Sequence, residues 1–361
     1  MSEALTETKI PSLFSHNHAS NLLSLSNGDL LCAWFGGSRE GKSDISILCS
    51  RLEKESGSWS EPEVLSGDPK RSEQNPVLFE HPDGALWLLY TAQNSIHQDS
   101  AVVRYRISND YGRTWEQEQT LFDTPGSFVR NPPVIRDNGE IILPAYYSIK
   151  SENGFLGKDY SVVKISGDAG ETWEEYPVEG SEALVHMSIV KGGGNELIGF
   201  FRSRKADYIH VTTSNDYGRT WTEPKKTTLM NNNASIQCQR LQSGNLAIVF
   251  NNINAELAPP EVNSPPWFDD KDQQTIASGQ SGKQESIWGV IRAPLAVAVS
   301  EDNGRTWPHY REIAVQQHDQ DSPEFSYPSI HQTKDGALHI TYTYLRECIK
   351  HTVVTENWVK S

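Results

Sequence analysis

The chain has 361 residues, 36% of them apolar, with ten tryptophans and a formal charge of −15. An acidic balance without any basic run excludes nucleic acid and anionic membrane surfaces as partners. No segment is long and apolar enough to span a bilayer.

In chain order, the first feature is a turn followed by an apolar strand, repeated six times. The copies are NGDLLCAWFGG (27–37), DGALWLLYTAQ (83–93), NGEIILPAYYS (138–148), GNELIGFFRSR (194–204), SGNLAIVFNNI (243–253) and DGALHITYTYL (335–345). Their turn positions are spaced by 56, 55, 56, 49 and 92 residues. A second motif, Ser-x-Asp-x-Gly-x-Thr-Trp, runs out of phase with the first. It occurs as SNDYGRTW (108–115), SGDAGETW (166–173), SNDYGRTW again (214–221) and SEDNGRTW (300–307). Its Asp can accept backbone N–H bonds within the turn, its Gly supplies positive φ, and its Trp is expected to bury between sheets. Worn versions end the first unit at ESGSW (55–59) and the last at TENW (355–358).

Repeats of this period with turn signals between strands predict an all-β fold: a six-bladed β-propeller of four-stranded antiparallel blades. Seven blades is the alternative, because the last step is long. The excess lies inside the fifth unit, where a Pro-, Ser- and Gln-rich stretch reads as a loop, so one propeller domain over 1–361 with an insertion at about 254–290 is expected. Trp267 and Trp288 in that insertion are expected to form a lid or a sugar-stacking wall. The N-terminal MSEALTETKIPS lacks signal-peptide character, which puts the chain as written in the cytoplasm, or outside the cell if it is a mature form. The chain is read as a monomer. Cys32, Cys49, Cys238 and Cys348 lack metal-ligand spacing, and buried free thiols are expected rather than a Cys32–Cys49 pairing.

The Asp turns join outer strands, so their aspartates are structural in this reading. Chemistry belongs on the face where inner strands begin and second strands hand over to third ones. That face gathers Arg39, Arg71, Arg130, Arg202, Arg204 and Arg346, with His16, His18, His97 and His186, and with Tyr146, Tyr147, Tyr327 and Tyr344. Such a ring on an acidic body suits a carboxylated sugar, because guanidinium pairs two-pronged with carboxylate. His97 is the first choice for base or acid, since a histidine titrates near neutral pH, and Tyr146 or Tyr147 is its partner. Only one of those neighbouring tyrosines can face the site. Arg130, with Arg202 or Arg204, is assigned to carboxylate neutralisation, and Asn75 and Asn131 to hydrogen-bonding support. No metal and no cofactor are called for: His16 and His18 share a strand face but lack a third ligand.

The Asp-turn repeats, with HASNLLSLSNGDLLCAWFGGSREG at the start and SYPSIHQTKDGALHITYTYLRECIKHTVV at the end, resemble the sialidase-like Asp-box (BNR-repeat) propeller family. Sialidases bind the substrate carboxylate with three arginines and use a Tyr–Glu nucleophile pair with an Asp acid/base. Where they carry an Arg-Ile-Pro motif in the first inner strand, this chain reads SHNHASNLL; Tyr327 with Glu324, or Tyr344, are the candidates for the pair. The chain is also similar to the fungal L-rhamnose-α-1,4-D-glucuronate lyases. That resemblance implies β-elimination on an anionic plant-type polysaccharide such as gum arabic, releasing rhamnose and leaving a 4,5-unsaturated uronate. A glycoside hydrolase and a non-catalytic sugar-binding propeller are the alternatives.

Overall fold

The computed structural model describes residues 5–149, 158–263, 265, 286–316 and 323–361. Six antiparallel sheets form a six-bladed propeller, each running from an inner to an outer strand. The inner strands begin at His16–Ser24, Ser72–Glu80, Ser127–Val129, Leu184–Lys191, Gln237–Arg240 and Phe325–Gln332. The repeated turn-and-strand units supply the second strands, such as Leu30–Gly37 and Leu246–Asn251, which are buried at every position. Their continuous apolar runs reflect cover on both faces, because each blade is packed between two others.

One apolar core lies between each pair of neighbouring blades. Leu31, Phe35, Leu78 and Leu88 join the first to the second, and Phe79, Trp87, Leu143 and Val162 the second to the third. The series ends with Trp34, Trp59 and Ile349, which join the sixth blade back to the first. The third inner strand is broken: Ser127–Val129 and Val134–Ile135 both pair with Ile141–Tyr147, and Pro132 and Pro133 lie in the gap. Proline lacks the donor a continuous ladder needs.

The four Asp turns are alike. In the third of them, Asp216 Oδ1 accepts from Arg219 N (3.1 Å), Thr220 N (2.9 Å) and Ser214 Oγ (2.8 Å), and Oδ2 accepts from Thr220 Oγ1 (2.6 Å). The residues after the Asp, Tyr217 and Gly218, both take positive φ. At Gly304 of the fourth turn a Cβ would lie 2.6 Å from Phe200 Cζ, so the turn approaches the preceding blade too closely for a side chain. The tryptophans Trp115, Trp173, Trp221 and Trp307 pack half-buried against four successive inter-blade cores.

The ring closes by mixing the two ends of the chain. Thr6–Lys9 pairs with Cys348–Thr355 as the outer strand of the sixth blade. The expected worn turn at TENW is therefore absent: with the outer strand supplied from the N-terminus, these residues open a short helix, Glu356–Lys360, capped by Thr355. The insertion runs between Leu246–Asn251 and Leu295–Ser300 of the fifth blade. Its described ends are tied to the fourth blade by Ala255 N→Ala206 O and Ile287 N→Arg204 O, both 2.8 Å. Trp267 lies outside the described residues. All four cysteines are buried free thiols.

Because the Asp turns are hydrogen-bonded frames at the rim, Asp216→Ala should cost about 1 kcal/mol of stability and leave turnover per folded molecule unchanged. Denaturant unfolding with an activity assay checks this. Lost turnover at unchanged stability would move the Asp turns into the chemistry.

Candidate functional site

The site is built by a backbone irregularity repeated around the ring. In four inner strands the pairing register jumps at one place: His18 to Asn21, Gln74 to Val77, Val185 to Ser188 and Ser326 to Ser329. Within each jump one residue has left-handed φ: Ala19 (61°), Asn75 (52°), His186 (53°) and Tyr327 (51°). A bulge of this kind re-aims side chains, and left-handed φ at bulky residues such as His and Tyr is strained and uncommon.

Tyr327 is the centre of what these bulges bring together. Its hydroxyl meets Arg202 Nη1 at 2.5 Å, and the guanidiniums of Arg130, Arg202 and Arg292 lie 5.4–5.5 Å from its ring centroid. The His18 ring packs on it at 4.2 Å and the His186 ring meets it edge-on at 5.6 Å. Arg202 Nη1 also reaches His186 Nδ1 at 3.5 Å. Since arginine only donates, Nδ1 accepts, leaving the His186 proton on Nε2, 3.3 Å from the Tyr146 hydroxyl. Glu324 accepts from Arg292 Nη1 (2.7 Å) and Arg346 Nε (2.8 Å), and Arg346 also donates to Glu40 at 2.5 Å. Arg204 pairs with the fully buried Asp159.

Among the described residues, several buried nitrogens in this cluster have no hydrogen-bond partner: Arg130 Nη1, Arg202 Nη2, Arg346 Nη2 and the Nε2 atoms of His16 and His18. Unpaired buried polar groups are costly, so they mark where a ligand's polar atoms belong, and the guanidinium nitrogens among them call for acceptors. The local charge points the same way. Five guanidiniums (Arg130, Arg202, Arg204, Arg292, Arg346) meet three carboxylates (Glu40, Asp159, Glu324).

The electrostatics sort the titratable groups. Burial and the surrounding arginines hold His18 and His186 well below the ordinary histidine value, so both are neutral. Burial alone would push the Tyr327 phenol up, yet Arg202 and Arg292 bring it below its usual value. Tyr146, with weaker cationic help, is pushed up by burial. Burial opposes charge on Glu324, but Arg292 and Arg346 hold it at about 2. Burial brings Arg130 and Arg202 down to about 10, still cationic at neutral pH.

The sequence-predicted residues divide into three groups. His18, Tyr146, His186, Arg202 and Tyr327 touch one another, and Arg346 joins them through Glu324. Arg130 and Asn131 lie in the floor. Arg130 donates to Ser20 O, Tyr327 O, Pro328 O and Ser235 Oγ, and Asn131 to His186 O, Met187 O and Ile236 O. His16 stacks on Phe35, Asn75 occupies the second bulge, and Arg204 abuts Trp288. The third group points elsewhere or sits at the rim. Tyr147 turns outward to Glu175 and Lys164, Arg39 is half-buried beside Glu40, and His97 is exposed on the second blade's hairpin. Sequence reasoning missed Arg292, whose one signal was the Arg-Ala-Pro that ends the insertion, and the pairing role of Asp159. Beside the cluster opens a cleft of about 560 Å³ lined by Asn232, Pro260, Val262, Trp288, Arg292 and Glu324.

The model for the BNR repeat-like domain matches residues 28–340, and the chain belongs to that family. No curated protein matches it. Among solved structures, the fold resembles a Hadza microbial sialidase (TM-score 0.71, 14% identity, 96% of this chain and 67% of that one). It also resembles a protein of unknown function from Dyadobacter fermentans (0.71, 15%, 97% and 98%). A third is the Ruminococcus gnavus intramolecular trans-sialidase, solved with oseltamivir carboxylate (0.69, 12%, 96% and 96%). At such identities the likeness establishes the fold.

Stability should fall with pH in two stages. Below about 6.5 the unfolded histidines take protons that folded His18 and His186 resist, so the unfolded state gains. Below about 4.5 the stabilisation from Glu324 is lost as pH falls toward its folded value of about 2. His331 and His351, held down to about 4 and 3 by burial, act in the same direction. His186→Gln should therefore make the upper stage shallower without abolishing it, as read by denaturant titrations from pH 8 to 4. An unchanged upper slope would mean that His186 is not a buried neutral imidazole.

Proposed function

We propose that the chain is a carbohydrate-active enzyme that seats a uronate ring over Tyr327 and cleaves the bond at its O4 by β-elimination. The observation that carries this reading is Tyr327 itself. Its phenol is held low by guanidiniums and flanked by neutral imidazoles, and among the described residues no carboxylate hydrogen-bonds it. Glu324, three residues earlier, is committed to Arg292 and Arg346.

In this reading the unpaired nitrogens of Arg202 and Arg346 take the uronate carboxylate and stabilise the charge that develops as C5 loses its proton. The Tyr327 phenolate accepts that proton. The C5–H electrons become the C4–C5 double bond, the C4–O4 bond breaks, and O4 leaves with a proton returned by the phenol. His16, His18, Asn75 and His186 serve as hydrogen-bonding neighbours of the sugar hydroxyls, Tyr146 orients His186, and Arg130 and Asn131 fix the floor. Arg39 and His97 belong to the rim, where a longer chain would pass. The likeness of the sequence to the rhamnose–glucuronate lyases makes a rhamnosyl-glucuronate polysaccharide the first substrate to try. A second reading is a glycosidase: a phenol held low suits a nucleophile equally well, and the fold neighbours include sialidases and trans-sialidases.

Incubation with gum arabic should release free rhamnose together with the ultraviolet absorbance of an unsaturated uronate. Tyr327→Phe should lower kcat by about 10²–10⁴-fold, and Arg202→Lys should raise KM. Rhamnose release without the absorbance would mean hydrolysis. Turnover of a sialoside instead would establish the glycosidase reading.

A further inference from the structure

The seam where the ring closes holds a second polar arrangement, at the opposite end of the sixth blade from Tyr327. An indole and two imidazoles are joined in line across it. Trp59 Nε1–H of the first blade donates to His351 Nδ1 at 3.2 Å. His351 Nε2 lies 2.9 Å from His339 Nδ1, and the two rings are within 10° of parallel. An indole nitrogen only donates, so His351 Nδ1 accepts. Burial holds His351 down to about 3, so its ring is neutral and its one proton sits on Nε2. His339 Nδ1 accepts in turn, which places the His339 proton on Nε2. One indole thus fixes the tautomers of both histidines.

The His339 Nε2–H has no protein partner among the described residues, and His339 lines a cleft of about 400 Å³ between the first and sixth blades. Leu25, Leu30 and Leu52 give the cleft apolar walls. Its two carboxylates are engaged elsewhere. Glu53 faces Arg113 at 3.5 Å, and Asp335 accepts from Thr333 Oγ1 (2.6 Å) and Ala337 N (3.2 Å) within its own turn. Its two ammoniums, those of Lys54 and Lys334, have no ion-pair partner among the described residues. The uncommitted charge in the cleft is therefore positive. Lys54 is also held in place: its backbone N–H bonds Asp29 Oδ1 at 3.1 Å, and a Cβ at Gly28 would fall 2.9 Å from its Cδ.

We infer that this seam cleft binds a small carboxylate with an apolar body. The carboxylate accepts from His339 Nε2–H and faces the two ammoniums, while the hydrocarbon lies on the leucines. A donor of fixed tautomer, unpaired positive charge and an apolar wall are all satisfied by that one class of ligand, and the volume suits a small molecule. The site does not depend on the reaction proposed at Tyr327. Because its lining comes from both blades, an occupant ties the first to the last and stabilises the closed ring.

The test is ligand-observed NMR titration of the whole protein with sodium hexanoate, beside acetate and hexanamide. Hexanoate should bind, raise the thermal midpoint and shift the His339 Nε2 resonance in a long-range ¹⁵N spectrum. Acetate, which lacks the apolar body, should bind at least about 10-fold more weakly, and uncharged hexanamide should also be weaker. Lys54→Met combined with Lys334→Met, both exposed, should weaken hexanoate by about 5-fold. His339→Phe should weaken it by about 10-fold, the loss of one hydrogen bond. Arg202→Met should leave hexanoate binding unchanged, which separates this cleft from the arginine cluster. Hexanoate that fails to bind wild type, or that is lost in Arg202→Met and kept in the lysine and His339 variants, overturns the site. Hexanamide that binds as tightly as hexanoate overturns the assignment of an anion. Thermal melts of each variant separate lost binding from lost folding.

Discussion

The left-handed bulge in the inner strands is the constraint on which the site depends. A regular ladder would send successive side chains to alternate faces of each blade, into the inter-blade cores. One extra residue, held at positive φ, breaks that alternation at the same level in four blades and swings His186 and Tyr327 into the middle. The conformation is unfavourable for both residue types. It persists because the strands on either side of each jump are locked in register and because Arg130 and Asn131 hold the carbonyls of the bulges from below.

Much of the electrostatic character follows from that placement. Once imidazoles and a phenol are buried against guanidiniums, the histidines lose their protons and the phenol becomes more acid. The same groups on an exposed loop would behave as they do in water. An acidic protein thereby carries a cationic interior, with negative charge distributed over the rim and surface. This separation admits an anionic ligand without a basic surface that would attract polyanions at large.

The fold was legible because it is repetitive. The Asp turns and the turn-and-strand units recur with nearly constant spacing, and the physics of each copy is local: a carboxylate in a turn, a Trp at its end, an apolar run beyond. The sixth blade departs from the pattern because its outer strand comes from the far end of the chain, and no local motif at TENW records that. The site was legible only in part. Arg202, His186 and Tyr327 lie where inner and second strands meet the face that carries the cluster, and strand alternation rightly allowed only one of Tyr146 and Tyr147 to turn inward. His97 satisfied the same positional rule, yet its hairpin leaves it in solvent. Arg292 was hidden because it follows an insertion with no periodicity to count from. Neither the bulges nor the pairing of Glu324 is encoded in spacing; both depend on contacts between residues far apart in sequence.

The closure strand has a consequence for how the molecule is made. Thr6–Lys9 bonds to a segment more than 340 residues away, and Trp59 in the first blade bonds to His351 in the last. Five blades can gather their strands in order as the polypeptide emerges. The sixth waits until Cys348–Thr355 has been made, and with it the core that joins last to first. Topology of such long range is slow to form. Until then Thr6–Lys9 remains without its partner, and Tyr327, itself in the sixth blade, has no ring to complete. Assembly of the Tyr327 cluster and closure of the ring are thus one event.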